Sequence, residues 1–503
     1  MTQIIMNKTI ALYTNVLVYC HSNDEVDKQE IATSLFAFYP VISTQVLSEY
    51  LNVVKRTLKL PKDEIMDICL KTFILLLAIL LAACTSKTNP SAEQQSNPLV
   101  ERKLLLMLDN QDMFRLEACL KNERTEISQG IALFLEAHLQ NAFNQTEQSL
   151  QTIDLLFDKY ENSLNDTLSW KIYKLKADNL VKQYQYCASV EAMKKAIDKY
   201  AHAADSLDFA NMIDSYNTFE PLREVLPQKI HITTDVTIPI SRNLMFNHLL
   251  VPVTSGGESE NFVFDTGASL SVVTESCAKR LGIRVLESSL EVENILGVKI
   301  QSKVGVSDSL WIGNLLVKNV VFLVLADEFL FFKDFDYTIY GIIGFPIMYQ
   351  MKEIKINKDK SIIVSGNPQK RDLHNLFFDG STMLVQAEAD SDTVLLFIDS
   401  GTNSSFFSER YFKAHQDKIQ EKAKLYNLKR GGAGSTSIIS KHYVLENISF
   451  MTGGYELTLP SIFVTQEKIK SFENYDGYIG ADVLMYFNTL ILNFEDMYLT
   501  FEE

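Results

Sequence analysis

The sequence predicts a multidomain chain. An all-β, two-lobed C-terminal half is preceded by an all-α domain of helical hairpins and a short α/β N-terminal fragment. Three observations carry this. Residues 100–218 hold almost no Gly or Pro, and their apolar residues recur at three- and four-residue spacing, as on one face of a helix. From about Leu226 the period switches to two, as in a half-buried strand. Beyond that point two segments align without gaps at one constant offset, which sets Leu249 on Met383 and Glu275 on Glu409.

The 503 residues correspond to roughly three units of about 150 residues each. Hydrophobic residues at 47% and charged residues at 22% exclude wholesale disorder. A net charge of −16 argues against nucleic acid as a ligand, because a phosphate-binding surface is basic. The cysteines (20, 69, 84, 119, 187 and 277) are too scattered for a disulfide framework or a zinc site.

Residues 1–65 contain a strand-like run, Ile10 to Tyr19, and a helix entry near Ile42 with Ser43 or Thr44 as cap. The segment resembles the first half of a toxin-type PIN-domain ribonuclease. That family places a metal-binding Asp before a Thr-Asn pair, whereas Tyr13 precedes Thr14 and Asn15 here. A second acid falls on Glu49 and later acids have no counterpart. A magnesium site needs several converging carboxylates, so the resemblance implies a truncated, inactive fragment. An ordinary N-terminal extension is the other reading.

Residues 66–84 read as a signal segment. The apolar core from Phe73 to Ala83 is 11 residues, about 16 Å as a helix, too short for a bilayer of about 30 Å. Lys71 precedes it, small residues end it, and Met66 just ahead reads as the natural start. Leu81, Ala82, Ala83 and Cys84 resemble a bacterial lipobox, which implies lipidation at Cys84 and a place in the bacterial cell envelope, periplasmic or at the outer membrane. Residues 85–99 are polar and Pro-containing, as expected of a solvated tether.

In residues 100–225 a weak internal repeat maps Ala137, Leu150 and Ile153 onto Ala177, Val190 and Met193. The helical hairpins resemble a tetratricopeptide-type array. The signature Trp, Gly and Pro are missing, so a plain helical bundle stays open. This domain is expected either to hold the C-terminal part off the membrane or to bind a partner. Cys119 and Cys187 are expected as small core residues.

The C-terminal half is one unit written twice, residues 228–370 and 371–503. Leu249, Leu250 and Val251 match Met383, Leu384 and Val385. The run Phe262 to Gly267 matches Leu396 to Gly401, and Ser271 to Glu275 matches Ser405 to Glu409. In each copy an apolar strand ends in Asp-Thr/Ser-Gly: Asp265, Thr266, Gly267 and Asp399, Ser400, Gly401. Each copy also has a late apolar-apolar-Gly element. It ends at Gly344 in the first and Gly480 in the second, at nearly the same distance past its Asp.

On these motifs the segment resembles the retropepsin-like aspartic peptidases, with two lobes fused in one chain as in pepsin. The resemblance implies that Asp265 and Asp399 meet as a catalytic dyad. It implies that Thr266 and Ser400 cross-link the two loops, and that Gly267, Gly401, Gly344 and Gly480 support them. It implies an endopeptidase with a peptide or protein substrate, needing no metal or organic cofactor, and monomeric because both lobes share one chain. The alternative is a non-catalytic peptide-binding envelope protein that keeps the fold.

Several expectations follow. Thr402 should favour the charged form of Asp399 through its hydroxyl, leaving the shared proton on Asp265. A flap is expected in the hairpin around Gly297 to Val304, and a second mobile loop at Gly431, Gly432 and Gly434. No His is close in sequence to either Asp, so a serine- or cysteine-type triad has no visible base. Cys277 should be a core residue. Tyr478 and Phe345 should pack beneath the active loops, and the run Phe329 to Phe335 either lines a groove or faces the core.

Overall fold

Three pairs of helices open the described part of the chain: Pro98–Asp109 with Met113–Glu123, Gln129–Ala142 with Thr146–Tyr160, and Asp166–Lys182 with Tyr186–Tyr200. The computed structural model describes residues 96–503 except 162–163, 244–245, 294–298, 359, 433–435 and 469–473. The expected PIN-like fragment, signal segment and Cys84 therefore lie outside the described residues, as does nearly all of the tether. Contacts divide the chain into residues 1–93 with 199–209, and residues 94–198 with 210–503; the site and its surroundings belong to the second unit.

The helices start where side chains satisfy their free N–H groups. Asn97 accepts from Leu99 N, and Asn165 from Leu168 N. Leu104, Leu116, Phe134, Ile153, Leu156 and Ile172 are fully buried on the shared faces. The helical repeat is visible in hydrogen bonds. Ser149 Oγ donates to Ala137 O at 2.7 Å, and Ser189 Oγ to Ala177 O at 2.9 Å. The turn of each hairpin carries one residue in the left-handed conformation: Gln111, Asn144 and Tyr184, with φ of 60°, 59° and 57°. Cys187 is exposed rather than buried, because it sits at the outer start of its helix; Cys119 is half-buried.

From Lys229 the chain is β-rich. A ten-stranded sheet runs through residues 229–325 and Gly341–Ile343, and an eight-stranded sheet through residues 376–465 and Gly477–Ile479. The duplication is kept residue by residue. Gly341–Ile343 pairs parallel with Glu258–Phe264, Ile343 opposite Phe264, and Gly477–Ile479 pairs parallel with Asp392–Ile398, Ile479 opposite Ile398. Antiparallel pairing on the other side sets Ile342 opposite Val272 and Tyr478 opposite Phe406. The first turn recurs with different chemistry. Gly256 and Gly257 have φ of 60° and 85°, and Asp390 and Ser391 take φ of 48° and 71° at the equivalent positions.

A third sheet joins the two copies. Glu353–Asn357 pairs with Thr489–Asn493, flanked by Ser361–Val364, Val236–Pro239 and Tyr498–Glu502. The strand-like pattern that begins near Leu226 thus opens with two strands in different sheets. Lys229–Ile230 joins the ten-stranded sheet and Val236–Pro239 the five-stranded one, so the chain must break between them. Where a flap was expected, Leu290–Glu293 pairs antiparallel with residues 299–302, Leu290 opposite Ser302 and Glu293 opposite Lys299, while Gly297 lies outside the described residues. Val304, expected within the flap, is instead a buried residue of a 14-residue strand. Its counterpart joins Lys424–Gly432 to Thr436–Thr452. Among the described residues no helix is long and apolar enough to cross a membrane.

Ile354 lies fully buried in the middle of the joining sheet. Ile354→Ala should lower stability by about 2–5 kcal/mol, read from urea unfolding followed by far-UV circular dichroism and Trp fluorescence. An unchanged midpoint would show that this sheet contributes little.

Candidate active site

Each Asp is placed by the strand before it and the apolar-apolar-Gly element beside it. Asp265 N donates to Ile343 O at 3.0 Å, and Asp399 N to Ile479 O at 3.0 Å. Each carboxylate accepts from the glycine two residues on: Gly267 N to Asp265 Oδ1 at 2.8 Å, and Gly401 N to Asp399 Oδ1 at 3.0 Å.

A reciprocal cross-link then draws the two loops together. Thr266 Oγ1 donates to Ile398 O at 3.0 Å and accepts from Ser400 N at 2.9 Å. Ser400 Oγ donates to Phe264 O at 3.2 Å and accepts from Thr266 N at 3.0 Å. Both hydroxyls are buried, so each bond is made away from water. The result presses each glycine against the opposite acid. A Cβ on Gly267 would lie 2.7 Å from Asp399 Oδ1, and one on Gly401 would lie 2.6 Å from Asp265 Cγ. Neither position has room for any side chain. The carboxyl groups lie close enough for the charge of Asp265 to act on Asp399.

Gly344 and Gly480 stand behind the loops. A Cβ on Gly344 would meet Ala268 O at 2.7 Å, and one on Gly480 would meet Thr402 Cγ2 at 2.9 Å. Their N–H groups donate to Ser271 Oγ and Ser405 Oγ, each at 3.0 Å. Ser271 and Ser405 stand in the aligned segments, yet only the fold shows that they tie the late glycines to the active loops. Asp482 adds a support present in one copy alone. It accepts from Ser405 N at 2.8 and 2.9 Å and from Ser405 Oγ at 2.6 Å.

Burial raises the pKa of both acids, because each charged form loses solvent. Asp399 is pushed well above the usual carboxylate range, first by burial and then by the charge of Asp265. Asp265 rises too, but N–H groups of Gly267 and Gly401 and the bond from Asp399 favour its charged form. Asp399 is thus raised the further of the two, the reverse of the order expected from the Thr402 hydroxyl. The group of Thr402 that favours charged Asp399 is its backbone N–H, and this is outweighed by burial.

His248 was missed, because it precedes Asp265 by more than a strand and meets a residue of the other half. Burial lowers its pKa, while the nearby Gly401 backbone opposes this. His248 stacks on Phe246, which also meets Phe332 and Phe335. The Phe-rich run is thus split: Leu330 is buried in the core, and Phe335 is exposed. Phe345 and Tyr478 are buried beneath the loops. Cys277 is fully buried, with its thiol pushed up to about 11 by burial, which makes it an inert thiol. Among the described residues no group of three or more His, Cys, Asp or Glu is arranged to hold a metal.

The aspartyl protease family matches residues 251–347, so the chain carries an aspartyl-protease-like domain there. No curated protein matches the chain. Among solved structures, conglutin gamma, a unique basic 7S globulin from lupine seeds, is 9% identical with a TM-score of 0.34, over 53% of this chain and 94% of its own. Basic 7S globulin from soybean is 12% identical with a TM-score of 0.35, over 54% and 95%. With TM-scores this low, the two likenesses carry no argument.

Two measurements check the site. Ser400→Ala strands the buried Thr266 N–H and Phe264 carbonyl, and should cost about 1–3 kcal/mol in thermal or urea unfolding. Asp399→Asn probes the raised pKa. A carboxyl whose pKa is raised by folding contributes stability while protonated and loses it as pH rises through the folded value. The variant should therefore unfold at a higher temperature than wild type at pH 7 and at nearly the same temperature at pH 3. A destabilised variant at pH 7 would contradict the assignment.

Proposed function

We propose that the chain is an aspartic-type endopeptidase with a two-lobed acid-protease fold, acting through Asp265 and Asp399. The observation that carries this is the convergence of the two acids, each pressed against the other half's glycine. Carboxylates this close do not both ionise, as is general for aspartic proteases, and the pair holds one proton. The pair titrates as a unit.

The chemistry runs on that proton. Charged Asp265 takes a proton from a water lying between the acids. Protonated Asp399 donates to the scissile carbonyl oxygen as the water oxygen attacks carbon. A tetrahedral gem-diol forms; Asp265 passes the proton it took from water to the amide nitrogen, the carbon–nitrogen bond breaks, and one gem-diol hydroxyl returns its proton to Asp399, which restores the starting pair. An extended peptide fits this reading, held by strand-like hydrogen bonds beneath the hairpins at 290–302 and 424–444. Two fused halves complete the site without a second copy of the chain. The helical hairpins are read as a tetratricopeptide-like array, and Cys84 as a lipid anchor to the bacterial envelope.

Cleavage of a peptide library from about pH 3 to 7, with and without pepstatin, tests the reading. Asp265→Asn or Asp399→Asn should lower the cleavage rate about a thousandfold with folding intact, because each removes a general acid or base. Cleavage that survives both substitutions overturns the assignment. A wild type that binds peptides without cutting them points to a binding protein that keeps the fold.

A further inference from the structure

One position breaks the correspondence of the two halves. Pro346 and Asp482 each follow the closing glycine of their element by two residues. In the second half the Asp482 carboxylate holds Ser405, which holds Gly480 N. Proline has no side-chain acceptor and cannot do this in the first half.

There the support comes from the helical hairpins. Tyr184 Oη donates to the Pro346 carbonyl, and Gln228 Nε2 donates to the same oxygen at 3.1 Å. Gln228 also reaches Tyr184 Oη and Gln350 Oε1, each at 3.1 Å. Tyr184 is 5% exposed and stacks on Tyr349 with ring centroids 6.0 Å apart. It is held at φ 57°, a conformation that is costly for an aromatic residue and persists only where its surroundings enforce it. Its counterpart one repeat earlier, Asn144, donates Nδ2 to the Phe494 carbonyl at 2.7 Å. Phe494 and Phe345 touch, and both pack on Phe378. Two successive repeat turns thus grip backbone carbonyls around the aromatic cluster beneath Gly344.

We propose that Tyr184 is a positioning residue for Asp265, and that the helical hairpins brace the first active loop as Asp482 braces the second. This rests on the peptidase reading of the dyad. The path is made of hydrogen bonds. Pro346 follows Phe345, whose N donates to Ala268 O at 2.9 Å, and Ala268 N donates to Asp265 O at 3.4 Å. Gly344 N donates to Ser271 Oγ, and Asp265 N to Ile343 O.

The test compares the full-length protein with its Tyr184→Phe and Gln228→Met variants. Tyr184→Phe keeps the ring stack and removes the hydroxyl. Amide hydrogen exchange by mass spectrometry should rise about tenfold over residues 264–271 in both variants and much less over 398–405. For a peptide the wild type cleaves, kcat should fall about tenfold with KM unchanged, because the acid is misplaced while the groove is intact. Unchanged exchange at 264–271, or an equal rise in both loops, overturns the proposal. A wild type that cleaves nothing, together with loop-specific exchange, refutes the peptidase reading and leaves the brace standing.

Discussion

Two carboxyl groups out of water and in contact are an unfavourable arrangement unless something forces it. At an effective dielectric of about 20, a pair of like charges about 4 Å apart repels by about 4 kcal/mol. The reciprocal bonds of Thr266 and Ser400 supply the constraint. Each hydroxyl both donates and accepts across the boundary between the halves, so neither loop can withdraw without stranding buried polar groups. The remaining escape is protonation, and one shared proton removes the repulsion. The glycines, the paired apolar strands and the joining sheet serve to keep this contact in place.

Much of this was legible in the sequence because a strand's period of two writes its burial into the residue pattern. Two copies at one offset made the pattern readable twice. The offset holds through the Asp loops and has grown slightly by the late glycines, since the second copy carries different hairpin and loop lengths. The helical repeat was legible for a similar reason: Ser149 and Ser189 make the same bond. Contacts between distant segments left no such trace. His248 comes near Gly401 from the turn before Leu249–Ser255, and Asp482 differs from its counterpart Pro346. The unequal rise of the two acids depends on burial that the sequence does not show: Asp399 is 8% exposed while Asp265 is half-buried.

The helical hairpins change meaning once seen against the β-rich part. From periodicity alone they read as a spacer or a partner-binding segment, because periodicity shows which face is apolar but not what covers it. Their turns instead meet backbone carbonyls behind the first active loop. The two halves, nearly identical in strand register, are thereby held by different means. One has an internal carboxylate, and the other a hydroxyl from the helical part together with the Gln228 amide. A duplicated site whose halves are supported differently gives its two acids different surroundings, as their unequal burial already does.

The most direct measurement is a neutron structure at near-neutral pH, which locates hydrogen atoms at the dyad. A single exchangeable proton on a carboxyl oxygen of Asp399, directed at Asp265, is the expected result. Two ionised carboxylates, or side chains turned away from one another, would contradict the account.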